Sequence, residues 1–299
     1  MINFMKYRLI YFLISALVIV PGVISLAFFG FSPSIDFTGG TLWEVQFADS
    51  RKPEAGSKIR ESFEDAGLDA EVQSSGENQF LIKTSPLDSD SRDLLENRLE
   101  SSVGEFEEVR FETLGPRLGE ELLRKALFAV LVAILVILLY IAYRFKHFAY
   151  GAVAILAMLH DSVVLLGVFS LLGHFFDIKV DTLFVTAVLT TLSFSAHDTI
   201  VVFDRIREIL KKTNLDFESA VNQAVGETLV RSINNSLTII FMLVALFVLG
   251  GETLKWFVFA LLVGTVSGTY SSTFTAAPLL IVWFNLSTRG NWRGILRLH

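Results

Sequence analysis

The sequence predicts a multi-span α-helical membrane protein, with six transmembrane helices and an α+β domain inserted between the first and the second. Three observations carry this reading. The 299 residues are 52% hydrophobic, with a mean hydropathy of +0.55, which is too apolar for an ordinary soluble domain. Six apolar stretches recur along the chain, at or near the length needed to cross a bilayer. One stretch, residues 30–122, breaks the pattern with 21 acidic residues against nine Lys/Arg and no long apolar run.

Residues 9–29 form the first span. It carries no charge, and Pro21-Gly22 in its outer half predicts a kink. The segment before it is short and holds Lys6 and Arg8, and no small-x-small cleavage site closes the run. It is read as a retained helix, so residues 1–29 comprise a cytoplasmic N-terminus and the first span.

Residues 30–122 are expected to form an extracytoplasmic domain. Asp36-Phe37-Thr38-Gly39-Gly40-Thr41 reads as a turn, with a positive φ at the glycines, feeding a strand through Leu42, Val45 and Phe47. Residues 53–66 read as a helix with Ile59 and Phe63 on one face and Gly67 as its stop. Residues 71–74 and 79–84 read as a hairpin around Ser75-Gly76-Glu77-Asn78. Residues 88–103 read as a second helix carrying Leu94, Leu95, Leu99 and Val103, and residues 107–114 alternate again through Val109 and Phe111. The order β-α-β-β-α-β is that of a ferredoxin-like sandwich.

The remaining spans are expected at residues 126–143, 148–172, 182–203, 233–249 and 256–286, within a membrane region of 123–286. Residues 204–232 read as a cytoplasmic amphipathic loop lying along the membrane surface, and 287–299 as a cytoplasmic tail. Lys6, Arg8, Arg144, Lys146, Arg205, Arg207, Lys211, Lys212, Arg231, Arg289, Arg293 and Arg297 fall on one side of this arrangement. The positive-inside rule makes that side cytoplasmic and turns the acidic domain outward. The net charge of −6 gives no footing for nucleic acid, and the absence of cysteine excludes thiol chemistry and disulfides.

The chemistry-bearing residues within or bordering the spans are His160, Asp161, His197, Asp198, Arg231, Asn234 and Asn235. A carboxylate inside a span costs ~2.5–3.5 kcal/mol unless it has a partner or water. Counting ~1.5 Å per residue from the expected span ends, Asp161 lies roughly 20 Å from the cytoplasmic side, Asp198 roughly 8 Å, and the two are about 12 Å apart along the normal. Arg231, just ahead of the fifth span, is then placed to meet Asp198. An Asp that alternates between an Arg partner and a water path can carry a proton. The plainer readings are a helix-end carboxylate for Asp198, a hydrogen-bonded packing residue for Asp161 and an interfacial anchor for Arg231. His160 and His197 each precede an Asp, but neighbours on a helix do not converge on one point, so no metal is expected. Gly264-x-x-x-Gly268, followed by Tyr270-Ser271-Ser272-Thr273, marks close helix packing.

Read together, five stretches resemble one family: Asp36-Phe37-Thr38-Gly39-Gly40-Thr41, His160-Asp161, Asp198-Thr199-Ile200-Val201-Val202-Phe203-Asp204-Arg205-Ile206-Arg207-Glu208, Arg231-Ser232-Ile233-Asn234-Asn235-Ser236-Leu237-Thr238 and Gly268-Thr269-Tyr270-Ser271-Ser272. In this order the chain resembles the SecD/SecF family, a branch of the RND superfamily, and within it the six-span SecF type. The resemblance implies an RND-like half bundle that pairs with SecD as a heterodimer in the cell membrane. It implies use of the proton motive force to assist late translocation of secreted polypeptide emerging from the SecYEG channel, without cofactor or enzymatic reaction. It also implies that Asp198 and Arg231 conduct protons together with an Asp from SecD. One departure stands out: the family usually places Asn before the motif Asp, and here a titratable His197 stands there to modulate it.

Two other functions fit parts of the pattern. A small-molecule or lipid exporter of the same superfamily generally carries two six-span halves, and this chain has one. An intramembrane aspartyl protease would need Asp161 and Asp198 close enough to share a proton.

Overall fold

The computed structural model describes residues 3–48, 54–75, 78–145 and 147–288. Pro53, Gly76, Glu77, Lys146, Arg289, Arg293, Arg297 and the rest of the expected tail from 289 onward lie outside the described residues.

Six helices are long and apolar enough to cross a membrane. The first is α1 (Arg8–Phe28), extended at its start by a 3-10 turn, Phe4–Tyr7. After the inserted domain come α5 (Pro116–Phe145), α6 (Phe148–Phe176), α7 (Thr182–Lys212) and α8 (Phe217–Leu249). The sixth runs through α9 (Glu252–Ser271), a π-helical segment Ser272–Ala276 and α10 (Ala277–Thr288). The π segment has a local cause: Pro278 has no N–H to give the carbonyl four residues back, so the ladder shifts ahead of it. Half of the spanning window of α6, of α7 and of the sixth helix is buried, against 17% for α1 and α8 and 6% for α5. The three central helices form the core and the other three flank it.

One expectation changes here. The segment 204–232 is not a surface loop. α7 continues past Phe203 to Lys212, and α8 starts at Phe217, with Thr213–Asp216 as the only link. Asp216 accepts from the Ser219 N–H at 3.1 Å and caps α8. The helical spacing is real, but its apolar face packs inward: Ile206, Ile209, Ala220, Val221, Ala224 and Val225 are buried with Phe203 and Phe217. Ion pairs neutralise the charged face, Arg144 to Asp204 at 2.8 Å, Lys212 to Glu208 at 2.6 Å, and Arg205 to both Glu208 and Glu227. α1 runs as one helix with Pro21 inside it. Gly22 there meets Gly167 of α6: a Cβ on Gly167 would lie 2.5 Å from the Gly22 Cα. The helix backbones touch at this crossing, as small residues permit in lipid.

The inserted domain has the ferredoxin-like order: α2 (Ile35–Thr38), β1 (Gly40–Phe47), α3 (Ala55–Glu64), β2 (Ala70–Ser74), β3 (Gln79–Thr84), α4 (Ser89–Ser102) and β4 (Phe106–Leu114). The sheet is antiparallel in the order β2-β3-β1-β4. Its core is Trp43, Val45, Phe47, Ile59, Phe63, Ile82, Leu95 and Leu99. Three sequence expectations fail in detail. Trp43 rather than Leu42 shares the inward face with Val45 and Phe47, because only alternate residues share a face. Leu94 is exposed. Val109 is also exposed, because the register jumps from Glu44↔Arg110 to Val45↔Glu108 and leaves Val109 as the bulged residue. Phe111 keeps its inward place against Trp43.

The glycine crossing gives a test. Gly167→Ala should destabilise the purified protein by about 1–3 kcal/mol, as overpacking does. Gly151→Ala on the same helix, where a Cβ would meet nothing within 4 Å, should leave the thermal midpoint unchanged or raise it. Equal midpoints for both variants would show that α1 and α6 do not pack at Gly22–Gly167.

Candidate functional site

α7 has 31 residues, and Asp198 stands close to its middle. At ~1.5 Å per residue this is roughly 24 Å from one end and roughly 21 Å from the other. Asp161 likewise stands close to the middle of α6, which has 29 residues. Both carboxylates are therefore at mid-helix. The expected place of Asp198, five residues from the end of its helix, is corrected by the longer α7. Arg231 moves too: it lies well inside α8, nearly halfway along, rather than ahead of a span.

Asp198 is 7% exposed. Its Oδ2 accepts from the Ser232 hydroxyl at 2.8 Å. Beside it lies a cavity of about 210 Å³, lined by His197, Asp198, Thr228, Arg231, Ser232 and Asn235 with Val201 and Val202. Asp198, His197 and Arg231 thus share one space between α7 and α8. Among the described residues Arg231 has no ion pair within 4 Å; it stands between this cavity and a larger polar groove that includes Asp204, Arg205, Glu208 and Glu227. Asn235 borders the cavity. Asn234 is not among its lining residues; its carbonyl accepts from the Thr238 hydroxyl at 2.9 Å.

Asp161 is fully buried and more completely satisfied. Ser267 and Ser271 of α9 each donate to it at 2.6 Å, and the Nδ1 of His160 lies 3.0 Å from its Oδ1. The other ring nitrogen of His160 meets the Ser15 hydroxyl of α1 at 3.1 Å, and Ser15 meets Thr275 of the π segment at 3.3 Å. With Nδ1 donating to the carboxylate, neutral His160 accepts from Ser15 at Nε2. The network joins α1, α6 and the sixth helix. Asp161 and Asp198 share no donor, so they are not a proton-sharing dyad.

Gly264 and Gly268 lie against α7. A Cβ on Gly264 would collide with the Thr191 hydroxyl, and one on Gly268 would come within 3.5 Å of Ser195. The buried hydroxyls of Thr191, Ser195 and Thr199, spaced four apart on that face of α7, have no hydrogen-bond partner among the described residues. Across the seam, Thr269 donates to Ser236 of α8 at 2.6 Å.

Sequence reasoning missed Ser232, Ser267 and Ser15 as carboxylate and imidazole partners. Ser232 could have been found, since it follows Arg231 within the quoted motif. Ser15 could not, because nothing in a run such as Leu13-Ile14-Ser15-Ala16 reports which helix it faces.

The chain matches the family described as "Protein export membrane protein SecD/SecF, C-terminal" over residues 94–286 and the "SecD/SecF GG Motif" over residues 24–50. It is 44% identical to the protein translocase subunit SecF of Thermobaculum terrenum, across 95% of each chain. It is 38% identical to the protein translocase subunit SecDF of Thermus thermophilus, over 86% of this chain and 35% of that longer one. The crystal structure of SecDF from that organism, a translocon-associated membrane protein, superimposes with a TM-score of 0.81 at 35% identity, covering 95% of this chain and 39% of the other. By fold, by motif and by full-length similarity, the chain belongs to the SecD/SecF family of protein-export membrane proteins.

Proposed function

We propose that this subunit works with a SecD partner to convert the proton motive force into movement that assists late translocation of secreted polypeptide through the SecYEG channel. One observation carries the reading: a buried carboxylate, Asp198, stands at mid-helix on the wall of a cavity that also holds Arg231 and His197. Among the described residues Asp198 has a single donor, Ser232, where a saturated buried carboxylate would have several. It can therefore exchange a proton through the cavity, with Arg231 as counter-charge and His197 as a second titratable group. Each proton moved supplies ~2.3 kcal/mol per 100 mV. The hydroxyls of Thr191, Ser195 and Thr199, without a partner among the described residues, extend polar groups along the same helix. The relatives are translocase subunits rather than enzymes, in keeping with a transport role.

The partner reading rests on an uncovered polar face. Thr186, Thr190, Ser193 and His197 of α7, with Arg231, Asn234 and Asn235 of α8, are exposed although they lie in spanning helices. Lipid does not solvate such a face, so a second bundle covers it. In the Thermus relative, SecDF is one longer chain, and the SecD half would supply that bundle here. Orientation follows charge: Arg8, Arg144, Arg205, Arg207, Lys211 and Lys212 sit at the bundle end away from the sheet domain. That end is cytoplasmic by the positive-inside rule, and the domain meets polypeptide outside.

Asp198→Asn keeps an acceptor for Ser232 and removes the proton site. Co-expressed with SecD, it should lose the protonophore-sensitive part of reporter export in membrane vesicles while assembling normally. Export that stays fully protonophore-sensitive would sink the proposal. Asp161→Asn should behave differently. Weakening a charge-assisted buried network costs about 1.5–3 kcal/mol, so folded protein and export should fall together. Normal protein levels with selective loss of protonophore sensitivity would instead place the relay at Asp161.

A further inference from the structure

The glycine-pair segment belongs to none of the chemistry above, yet it lies where three parts of the molecule meet. At the foot of the sheet Gly40 pairs with Leu114, and Gly115 leads straight into α5, so both covalent connections to the domain pass side by side. Gly39 has φ +80° and rests on α5: a Cβ there would lie 2.8 Å from the Pro116 Cα, and one on Gly119 2.7 Å from the Phe37 carbonyl oxygen. No side chain larger than hydrogen fits this backbone-to-backbone contact. Phe37 is buried with Met158, Leu165, Phe169 and Phe184 of α6 and α7.

The same segment grips the first turn of α7. The Asp36 carboxylate accepts from the Thr182 N–H at 3.1 Å and from the Thr182 hydroxyl at 3.0 Å. Asp181 accepts from the Phe184 N–H at 2.9 Å. Ser34 and Ser32 exchange backbone hydrogen bonds with Val180, both at 2.8 Å. Two carboxylates thus satisfy two of the free N–H groups, those of Thr182 and Phe184, at the positive end of the helix that carries Asp198.

We infer that Asp36 is a positioning residue which ties the start of the Asp198 helix to the neck of the sheet domain, so that displacement of either moves the other. Asp36 stands just ahead of β1, and the intervening Gly39 is locked against Pro116, so the Asp36–Thr182 bonds join α7 to β1 and α5 through backbone that has no room to pivot. The inference rests on the reading of Asp198 as proton carrier and specifies how its state reaches the domain.

The chain has no cysteine, so spin labels can be placed at Ser101→Cys on exposed α4 and Gly251→Cys in the exposed turn before α9. The full chain, co-expressed with SecD, would carry this pair in the wild-type, Asp36→Ala, Asp36→Asn and Thr182→Val backgrounds. Losing a helix-capping acceptor shifts a local equilibrium by about fivefold. Asp36→Ala should therefore broaden the label–label distance distribution and cut protonophore-sensitive export by about that factor. Thr182→Val should do the same more weakly. Asp36→Asn, which presents an oxygen to both Thr182 donors, should restore both readouts. A wild-type distribution and wild-type export in Asp36→Ala overturns the linkage, and so does an equal loss in Asp36→Asn. Asp198→Asn, run in parallel, separates the two readings: if it leaves protonophore sensitivity intact, the proton reading fails whatever the distances show.

Discussion

A carboxylate inside an apolar bundle must be met by donors, and the architecture follows from how two carboxylates are met. Asp161 is saturated by two serines and a histidine drawn from its own helix and the sixth. Asp198 has one serine and a cavity. The first arrangement fixes charge and geometry together and behaves as a clamp. The second leaves coordination unfilled beside space that can hold water, which is what reversible proton uptake requires. The two sites are alike in sequence, each a His-Asp pair, and differ in whether that histidine meets its neighbour and in what the other helices bring.

What the neighbours bring depends on close approach. Without a hydrophobic driving force between spans, small residues must let backbones meet and hydroxyls reach across. Gly264 and Gly268 admit Thr191 and Ser195, Gly22 meets Gly167, and Ser25 bonds Ser170 at 2.8 Å. The serines at 267 and 271 reach Asp161 because α9 lies this near the core. The π segment begins at the next residue, Ser272, and its Thr275 closes the hydroxyl chain to Ser15. A glycine widened in either seam would therefore act on the carboxylates as well as on packing.

The sheet domain is legible in outline because alternation, turn residues and helical spacing all agree there. Legibility fails where a local event breaks the period, as at the Val109 bulge, which no composition rule marks. The spans are legible as apolar runs, but their ends are not. Reading Asp204-Arg205 as the end of a helix assumes that charge means exit from the bilayer. Ion pairs at Arg144–Asp204 and Arg205–Glu227 instead let helices run on, with the apolar faces of Ile206 and Ala220 still packed. That one misreading carries through to the position of Asp198 along its helix, the place of Arg231 and the supposed surface loop. Asp198, Arg231 and His197 are visible because ionisable groups stand out against apolar sequence. Ser232 and Ser15 are not, because a hydroxyl in a span is common and its direction is set by tertiary contact.

α7 is held in three ways along its length. Its first turn is held by Asp36 and Asp181 at the sheet domain's foot, its middle packs small residues on the sixth helix, and its last turns are ion-paired to α5 and α8. Of these, the middle contact is small residues and hydroxyls with no hydrogen-bond partner among the described residues, whereas the two ends are held by directional polar bonds. A change of charge at Asp198 alters the middle of the helix, where hydrogen bonding to Ser232 registers it to α8. Were Asp198 to carry protons as proposed, a helix pinned at its ends would respond by rotation or by a small axial shift, the scale on which packed helices commonly switch. Either motion would reach the first turn, where the groups in contact are those of the sheet domain's neck.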